Sequence, residues 1–129
     1  MVLVDTSVWI EVFRSRPRRR LESIVEFDEI VTCLPVVQEV LQGFDDERAF
    51  AIAREAMLAL PMVEAPVTAG AFEDAVALYR TARRAGVTVR SGVDCLIAAC
   101  ALRHRLEVLH HDRDYDALAR VSPLRVRRV

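Results

Sequence analysis

The sequence predicts an α/β fold in which a parallel sheet is covered by helices on both faces. Short apolar runs alternate along the chain with longer segments whose apolar residues recur at helical spacing. An alternation of this kind is typical of parallel strands joined by helical crossovers. A chain of 129 residues suits one domain with a substantial core, so we expect residues 1–129 to fold as one domain.

Composition excludes two classes of protein. A hydrophobic fraction of 53% excludes a disordered chain, and no apolar run approaches the roughly eighteen residues of a membrane span. We also find no basic segment followed by an apolar stretch at the start, so we expect no secretory signal and a cytoplasmic location. The three cysteines have neither disulfide-framework nor zinc-site spacing, which favours reduced thiols in the core.

Charge is balanced overall but uneven locally. The formal net charge of −1 argues against a protein that coats nucleic acid through bulk charge. Five arginines nevertheless form a basic run, which is either a solvated surface or a contact for phosphates: Arg14, Arg16, Arg18, Arg19 and Arg20.

The first stretch of the chain predicts a buried strand that leads directly into a helix. Residues 2–4 are apolar and are followed by Asp5, which places this acid at the carboxyl end of the strand. Thr6 or Ser7 can cap the helix. Ligands of open parallel sheets bind at that edge, so Asp5 is a candidate site residue.

The remaining strands and helices alternate. We predict strands over residues 30–34, 62–65, 107–110 and 124–126, and helices over residues 17–27, 35–42, 45–60, 68–86, 91–102 and 115–121. The helix from Ser91 is apolar on nearly every side, which indicates burial. The preceding helix, capped by Thr68, is expected to place its larger apolar residues on its inner face: Phe72, Ala75, Val76, Tyr79 and Ala82.

Four acids follow strands or open helices at the expected edge of the sheet. Asp5 follows the first strand, and Asp112 follows the strand over 107–110. Asp94 lies in the first turn of the apolar helix, and Glu39 lies on the helix after the second strand. The ends of parallel strands share one edge, so these side chains can lie close together.

Each acid also has a purely structural interpretation. Asp5 can be a helix cap, Ser91 and Asp94 match a Ser-x-x-Asp capping box, and Asp112 or the acid two residues later can cap the last helix. Glu39 lies off the apolar stripe of its helix and can face water. Taken together, however, four acids at one edge favour a cation site. Clustered carboxylates repel, and Mg²⁺ or Mn²⁺ prefers oxygen ligands.

The order and spacing of four short motifs over essentially the whole chain resemble PIN-domain ribonucleases, most closely the toxins of VapBC-type toxin–antitoxin pairs. The motifs are Val4-Asp5-Thr6-Ser7-Val8-Trp9, Pro35-Val36-Val37-Gln38-Glu39-Val40, Val93-Asp94-Cys95-Leu96-Ile97-Ala98-Ala99 and His111-Asp112-Arg113-Asp114-Tyr115.

The resemblance implies a three-layer α/β/α fold with a central five-stranded parallel sheet. It also implies an endoribonuclease that uses Mg²⁺ or Mn²⁺ to cleave RNA, with Asp5, Glu39, Asp94 and Asp112 as metal ligands. Asp114 would support them, and a neighbouring hydroxyl, Thr6 or Ser7, would position a ligand or water. His110 and His111 depart from the small or hydroxylic residues expected before the final acid. We expect them to contribute to strand and turn structure, with metal ligation by a histidine as the alternative.

The resemblance also implies protein partners. Such toxins are typically homodimers and are inhibited by a small antitoxin whose tail lies in an apolar groove near the acids. Trp9, Val12 and Phe13 are candidates for that groove, with core packing as the alternative. The basic run from Arg14 to Arg20 can guide RNA towards the site.

Two other functions compete with this interpretation. An aspartate-nucleophile phosphatase needs a second Asp two residues after Asp5, where this chain has Ser7, and a receiver domain needs a lysine, which this chain lacks. The second competitor is a nucleic-acid-binding module that kept the fold and lost the chemistry. The presence of all four acids argues against it.

Overall fold

A parallel sheet forms the centre of the protein, for which a computed structural model describes residues 1–14 and 20–129. In this part of the chain, four strands form the sheet: β1 (Val2–Val4), β2 (Ile30–Val31), β3 (Glu107–His110) and β4 (Val126–Arg128). Their order is β2-β1-β3-β4, and all neighbours are parallel. The predicted class, a parallel sheet flanked by helices, is confirmed.

Six α-helices connect and cover these strands in the described residues. They are α1 (Thr6–Val12), α2 (Leu34–Gln42), α3 (Glu47–Leu58), α4 (Ala69–Arg84), α5 (Gly92–Arg103) and α6 (Arg113–Val121). No helix in this part of the chain is both long and apolar enough to cross a membrane.

The register of the two central strands fixes the edge at which the acids gather. Val2 pairs with Glu107 and Val4 with Leu109, and the Asp5 N–H donates to the Leu109 carbonyl at 2.9 Å. Strands β1 and β3 therefore end side by side. Because both strands lead into helices at this point, the first turns of α1 and α6 open on the same edge of the sheet.

The buried helix α5 packs mainly against α4 and also contacts α2, α6 and β3. Seven of its twelve residues are buried, as its apolar sequence predicts. Small side chains such as Ala98 and Ala101, both fully buried, let neighbouring backbones approach closely. This packing holds the N-terminal turn of α5, which carries Asp94, against the ends of the strands.

The inner face of α4 differs from the prediction. Ala75 and Ala82 are buried as expected, but Phe72, Val76 and Tyr79 are 53%, 59% and 42% exposed. The alanines face α5 because only small side chains fit between two closely packed helices. The larger residues, at positions i, i+4 and i+7, consequently form an apolar stripe on the surface.

The predicted five-stranded sheet is wrong by one strand in the described residues. The segment predicted as a strand over 62–65 contributes a single parallel bridge between Met62 and Thr32. Thr32 donates its N–H to Pro61 and accepts from the N–H of Val63, both at 2.9 Å. Glu64 then adopts a φ of +51°, a left-handed conformation that ends the extended segment.

The predicted helix over 17–27 is also corrected. Its start lies outside the described residues, and beyond it the chain forms two short 3₁₀ turns, Leu21–Ser23 and Phe27–Glu29. The Ser23 hydroxyl donates to the Arg20 carbonyl at 2.6 Å. Such a local bond competes with continued α-helix. Within residues 20–27, the described part of this segment, Leu21 and Val25 are the only buried side chains.

Candidate metal and nucleic-acid site

The structure brings all four predicted acids, together with Asp114, to one edge of the sheet. Asp5, Glu39 and Asp94 each place a carboxylate oxygen within 4.8 Å of the others, and so do Asp94, Asp112 and Asp114. Asp94 is common to both groups. The five carboxylates therefore form one continuous cluster around Asp94, which we call the acid cluster.

Asp5, at the end of β1, accepts hydrogen bonds from residues of α1 and of α6. It is the N-cap of α1, where Oδ2 accepts from the Ser7 N–H at 3.0 Å and from the Ser7 hydroxyl at 2.6 Å. The Tyr115 hydroxyl donates to Oδ1 at 2.6 Å. The prediction that Thr6 or Ser7 caps α1 is wrong, because the helix begins one residue earlier with Asp5 as its cap.

The two predicted supporting hydroxyls orient acids. Ser7 holds Asp5, and the Thr6 hydroxyl donates to Glu39 Oε1 at 2.9 Å. Burial and the charges of Asp5 and Asp112 raise the pKa of Glu39, and the bond from Thr6 opposes this shift. Glu39 is half-buried at the rim of the cluster, so it does not simply face water.

Asp94 lies at the centre of the cluster and is 5% exposed. The capping-box interpretation is not supported, because the Ser91 side chain makes no capping hydrogen bond. Burial, followed by its interaction with the Asp114 carboxyl and repulsion from Asp5, raises the pKa of Asp94 to about 9. Oδ2 of Asp94 is buried, and none of the described residues donates a hydrogen bond to it.

Asp112 and Asp114 are bound by a second set of donors. Asp112 caps α6 by accepting the Asp114 N–H at 2.9 Å, so its predicted capping role holds alongside its place in the cluster. The N–H groups of Arg90 and Ser91 donate to the Asp114 carboxylate at 3.2 and 3.1 Å. Burial raises the pKa of Asp114, but the hydrogen bonds from Asp94, Arg90 and Ser91 lower it overall.

Sequence analysis missed two residues that contact the cluster. Tyr115 is fully buried, and its hydroxyl lies 2.6 Å from Asp5 and 3.4 Å from Asp94. Arg90 forms ion pairs with Asp112 at 3.0 Å and with Asp114 at 3.3 Å. The signals were present, since Tyr115 closes the last motif and Arg90 lies four residues before Asp94.

The two histidines make hydrogen bonds at the end of β3 and in the turn that follows it. His110 is buried beneath the cluster, where burial lowers its pKa and Nδ1 accepts from the Asp112 N–H at 3.2 Å. The His111 N–H donates to the Ser7 hydroxyl at 2.9 Å, and its ring nitrogen bonds the Val129 carbonyl at 2.6 Å. Neither ring belongs to a group of candidate metal ligands in the described residues.

A pocket of about 210 Å³ is lined in part by Ser7, whose hydroxyl donates to Asp5. Its apolar wall includes Val12, one of the three predicted groove residues. Trp9 and Phe13 instead stack on each other at 5.9 Å and pack with the core. In the basic run, Arg14 pairs with Glu11 at 3.1 Å, and Arg16, Arg18 and Arg19 lie outside the described residues.

The candidate ligand atoms fit a hard divalent cation. Every candidate ligand is a carboxylate oxygen, and the ligands come close enough to share an ion. The buried Oδ2 of Asp94 lacks a donor among the described residues, and a cation satisfies such an oxygen as a hydrogen bond would. Oxygen-only sites of this kind suit Mg²⁺ or Mn²⁺ and leave room for water and phosphate.

Comparison with known proteins agrees with this geometry. Residues 2–121 match the PIN domain family. Ribonuclease VapC11 of Mycobacterium tuberculosis is 41% identical over 130 residues, which cover 96% of each chain. Ribonuclease VapC51 of the same organism is 30% identical over 120 residues, or 93% of this chain and 86% of that protein.

The fold matches as well. The structure of VapBC2 from Rickettsia felis, bound to a DNA fragment from its promoter, superposes with a TM-score of 0.79 at 14% identity, covering 100% of this chain and 99% of that one. The family match spans nearly the whole chain, and the similarity to VapC11 extends over almost all of both proteins. The chain therefore belongs to the PIN-domain family, among its VapC ribonucleases.

Proposed function

We propose that residues 1–129 form one ribonuclease domain that cleaves RNA phosphodiester bonds with the help of Mg²⁺ or Mn²⁺. The observation that carries the proposal is the pair of overlapping carboxylate groups that share Asp94. A buried carboxylate oxygen without a donor among the described residues supports a cation at this place. The family supports RNA as the substrate, since the relatives named above are ribonucleases.

Asp5, Glu39, Asp94 and Asp112 would hold the metal, with support from Asp114. When bound, such an ion activates water and stabilises the charge that develops on the phosphate during displacement. Ser7 and Tyr115 fix both oxygens of Asp5. This fixed geometry keeps the ligand in place without reorganisation when substrate arrives.

Glu39 is suited to proton transfer at the rim of the cluster. It is less buried than Asp5 and Asp94, and burial raises its pKa. A carboxylate with a raised pKa accepts a proton more readily than an ordinary one. The Thr6 hydroxyl holds Oε1 of Glu39 and thereby fixes the direction in which the carboxylate faces.

The geometry disfavours the two competing functions. A phosphatase with a nucleophilic aspartate needs a second Asp two residues after Asp5, where Ser7 instead holds the Asp5 carboxylate, and a receiver domain needs a lysine, which the chain lacks. A binding module without chemistry would not need five carboxylates brought together at the cost of their mutual repulsion. Metal-assisted hydrolysis of RNA uses every member of the acid cluster.

The first prediction tests the metal mechanism. Purified protein should cleave single-stranded or loop RNA with Mg²⁺ or Mn²⁺ and should lose this activity in EDTA. Asp94→Asn should reduce cleavage by at least about a hundredfold, because the amide keeps the volume and removes the charge shared by both carboxylate groups. Gel assays of a labelled RNA measure both effects, and circular dichroism checks the fold.

Asp74→Asn provides a matched control, since Asp74 is exposed and pairs with Arg103 away from the cluster. This control should cleave at the wild-type rate. Full activity in EDTA, or a wild-type rate for Asp94→Asn, would contradict the metal mechanism.

The second prediction concerns stability and pH. A carboxyl group whose pKa is higher in the folded than in the unfolded protein loses its stabilising proton as pH rises, so the metal-free protein should become less stable between pH 7 and pH 8. Asp94, with its pKa raised to about 9, should contribute up to about 1.4 kcal/mol per pH unit. His110, whose pKa is lowered by burial, opposes this trend only weakly, because an unfolded-state histidine is already mostly neutral above pH 7.

Mn²⁺ should offset that loss, because it binds the ionised carboxylates of the folded state. At roughly 100 times its Kd it should add about 2.7 kcal/mol. Thermal unfolding at pH 7 and pH 8, in EDTA and in Mn²⁺, measures both effects. Asp94→Asn should flatten the pH dependence and weaken the response to Mn²⁺; if it changes neither, Asp94 does not titrate in this range and does not bind the ion.

We also propose that the protein is a homodimer and that the exposed stripe of α4 forms its interface. Phe72, Val76 and Tyr79 present a continuous apolar face, and exposed apolar surfaces of this kind commonly mark contacts with protein. A second copy of the chain fits, because a two-fold interface needs one self-complementary patch.

The third prediction follows from this interface. Wild-type protein should sediment as a dimer at micromolar concentration, and Val76→Glu should sediment as a monomer because it places a charge within the stripe. Ile52→Glu, at an equally exposed residue of α3, should remain dimeric. A monomeric wild type, or a monomer produced only by the α3 variant, would refute the assignment.

We further propose that a small cognate antitoxin inhibits the enzyme in the cytoplasm, where the three free buried cysteines stay reduced. The pocket lined by Ser7 and by apolar residues of α1 supports this partner, since the Ser7 hydroxyl on its wall donates to Asp5. An antitoxin segment in this pocket would reach the acid cluster.

The fourth prediction tests the pocket. The product of a small gene beside this one should co-purify with the protein and suppress RNA cleavage. Val12→Glu, in the pocket wall, should weaken the complex, whereas Ile10→Glu, at an exposed position of the same helix, should not. Equal retention of the partner by both variants would exclude the pocket as its docking site.

A further inference from the structure

We propose that Arg90 has two alternative partners: the acid cluster in the metal-free protein, and a phosphate of the RNA when a divalent ion is bound. The inference rests on the proposed function, because it needs both an ion and an RNA substrate. It assigns to Arg90 the contact with substrate charge that the acids themselves cannot make, since they repel phosphate.

The backbone of Arg90 is fixed, but its guanidinium is accessible. The Arg90 N–H donates to both oxygens of Asp114 at 3.2 Å. The side chain is 50% exposed, whereas that of its partner Asp114 is 2% exposed. The backbone of Arg90 is therefore fixed against Asp114, while the charged end of its side chain is exposed to solvent at the edge of the acid cluster.

The guanidinium binds the same carboxylates that would bind an ion. Nη2 donates to Asp112 Oδ1 at 3.0 Å and Nε donates to Asp114 Oδ1 at 3.3 Å. These two acids form one of the candidate ligand groups with Asp94. In the metal-free protein, the positive charge of Arg90 thus offsets part of the repulsion within the group.

A divalent ion on this group would compete with the guanidinium. Both are positive, and the ion would withdraw carboxylate charge from Arg90 and repel it at short range. The backbone N–H of Arg90 carries no net charge, so the ion would not displace it, and its hydrogen bonds to Asp114 would remain. The freed guanidinium would then lie beside the ion with its N–H groups available.

An RNA phosphate is the partner that matches these N–H groups. A guanidinium donates two parallel hydrogen bonds to phosphate oxygens and remains charged at any physiological pH. Among the ion pairs of the described residues, those of Arg90 are the ones that involve the acid cluster. Arg90 is therefore placed to bind the substrate next to the ion.

The alternative is that Arg90 only clamps Asp112 and Asp114. A clamp would stabilise the cluster, so its loss would leave the acids less well placed and weaken metal binding. Competition between Arg90 and the ion gives the opposite sign, because removal of the guanidinium charge would strengthen metal binding. The two interpretations are therefore separated by the direction of one measured change.

The fifth prediction uses Arg90→Gln and Arg90→Lys, with Arg48→Gln, at an exposed residue of α3, as the matched control. Calorimetric titration with Mn²⁺ in the absence of RNA should show that Arg90→Gln binds the ion roughly two- to fivefold more tightly, the range typical of a solvent-accessible ion pair. Arg48→Gln should bind Mn²⁺ like the wild type. Thermal unfolding confirms that each variant is folded.

Steady-state cleavage of RNA in Mn²⁺ tests the second partner. Arg90→Gln should raise KM and should reduce the salt dependence of kcat/KM by about 0.7 in the logarithmic slope, the value for one lost phosphate contact on a single strand. Arg90→Lys should restore the slope, since it restores the charge, but should restore kcat/KM only in part, because lysine lacks the two-pronged donor geometry.

Either of two results would overturn the proposal: Mn²⁺ affinity that is unchanged or weaker in Arg90→Gln, or an unchanged KM and salt slope for that variant. Failure of the proposed function would differ, since the wild type would then not cleave RNA in Mn²⁺ at all. The Mn²⁺ titration without RNA would still report the competition at the acids in that case.

Discussion

Repulsion among carboxylates is the constraint on which the structure of this site depends. Three acids from helices and two from the ends of strands meet at one edge of the sheet, and Asp94 is shared by both groups. Removing such charges from water is costly unless protons, donors or cations offset it. The raised pKa values of Asp94 and Glu39 express this cost directly.

The chain offsets the repulsion with donors that are specific to each acid. Tyr115 and Ser7 donate hydrogen bonds to Asp5, and Thr6 donates one to Glu39. Arg90 forms ion pairs with Asp112 and Asp114. Asp94 receives the least, with one long contact of 3.4 Å from the Tyr115 hydroxyl. The acid at the centre is therefore the least satisfied in the described residues, and that is the place where a cation would contribute most.

The packing of α5 against α4 positions Asp94 near the other acids. Small buried side chains on α4 and α5 let the two helices approach, which holds the first turn of α5 against the strand ends. The same packing turns Phe72, Val76 and Tyr79 outward. The burial of Asp94 and the apolar stripe on α4 thus have one physical origin, and they connect the candidate active site with the proposed interface between subunits.

The sequence by itself determined the parallel α/β class, most helix and strand positions, and the meeting of Asp5, Glu39, Asp94 and Asp112 at one edge, because hydrophobic periodicity and strand direction are local properties. It predicted one strand too many. The segment at Met62 forms a single bridge, because the backbone turns away at Glu64. Only the tertiary structure decided which face of α4 is buried and which residues neutralise the acids. Tyr115 lies 110 positions from Asp5 and Arg90 lies 22 from Asp112, and no local pattern encodes a hydrogen bond between side chains that meet only when the sheet is complete.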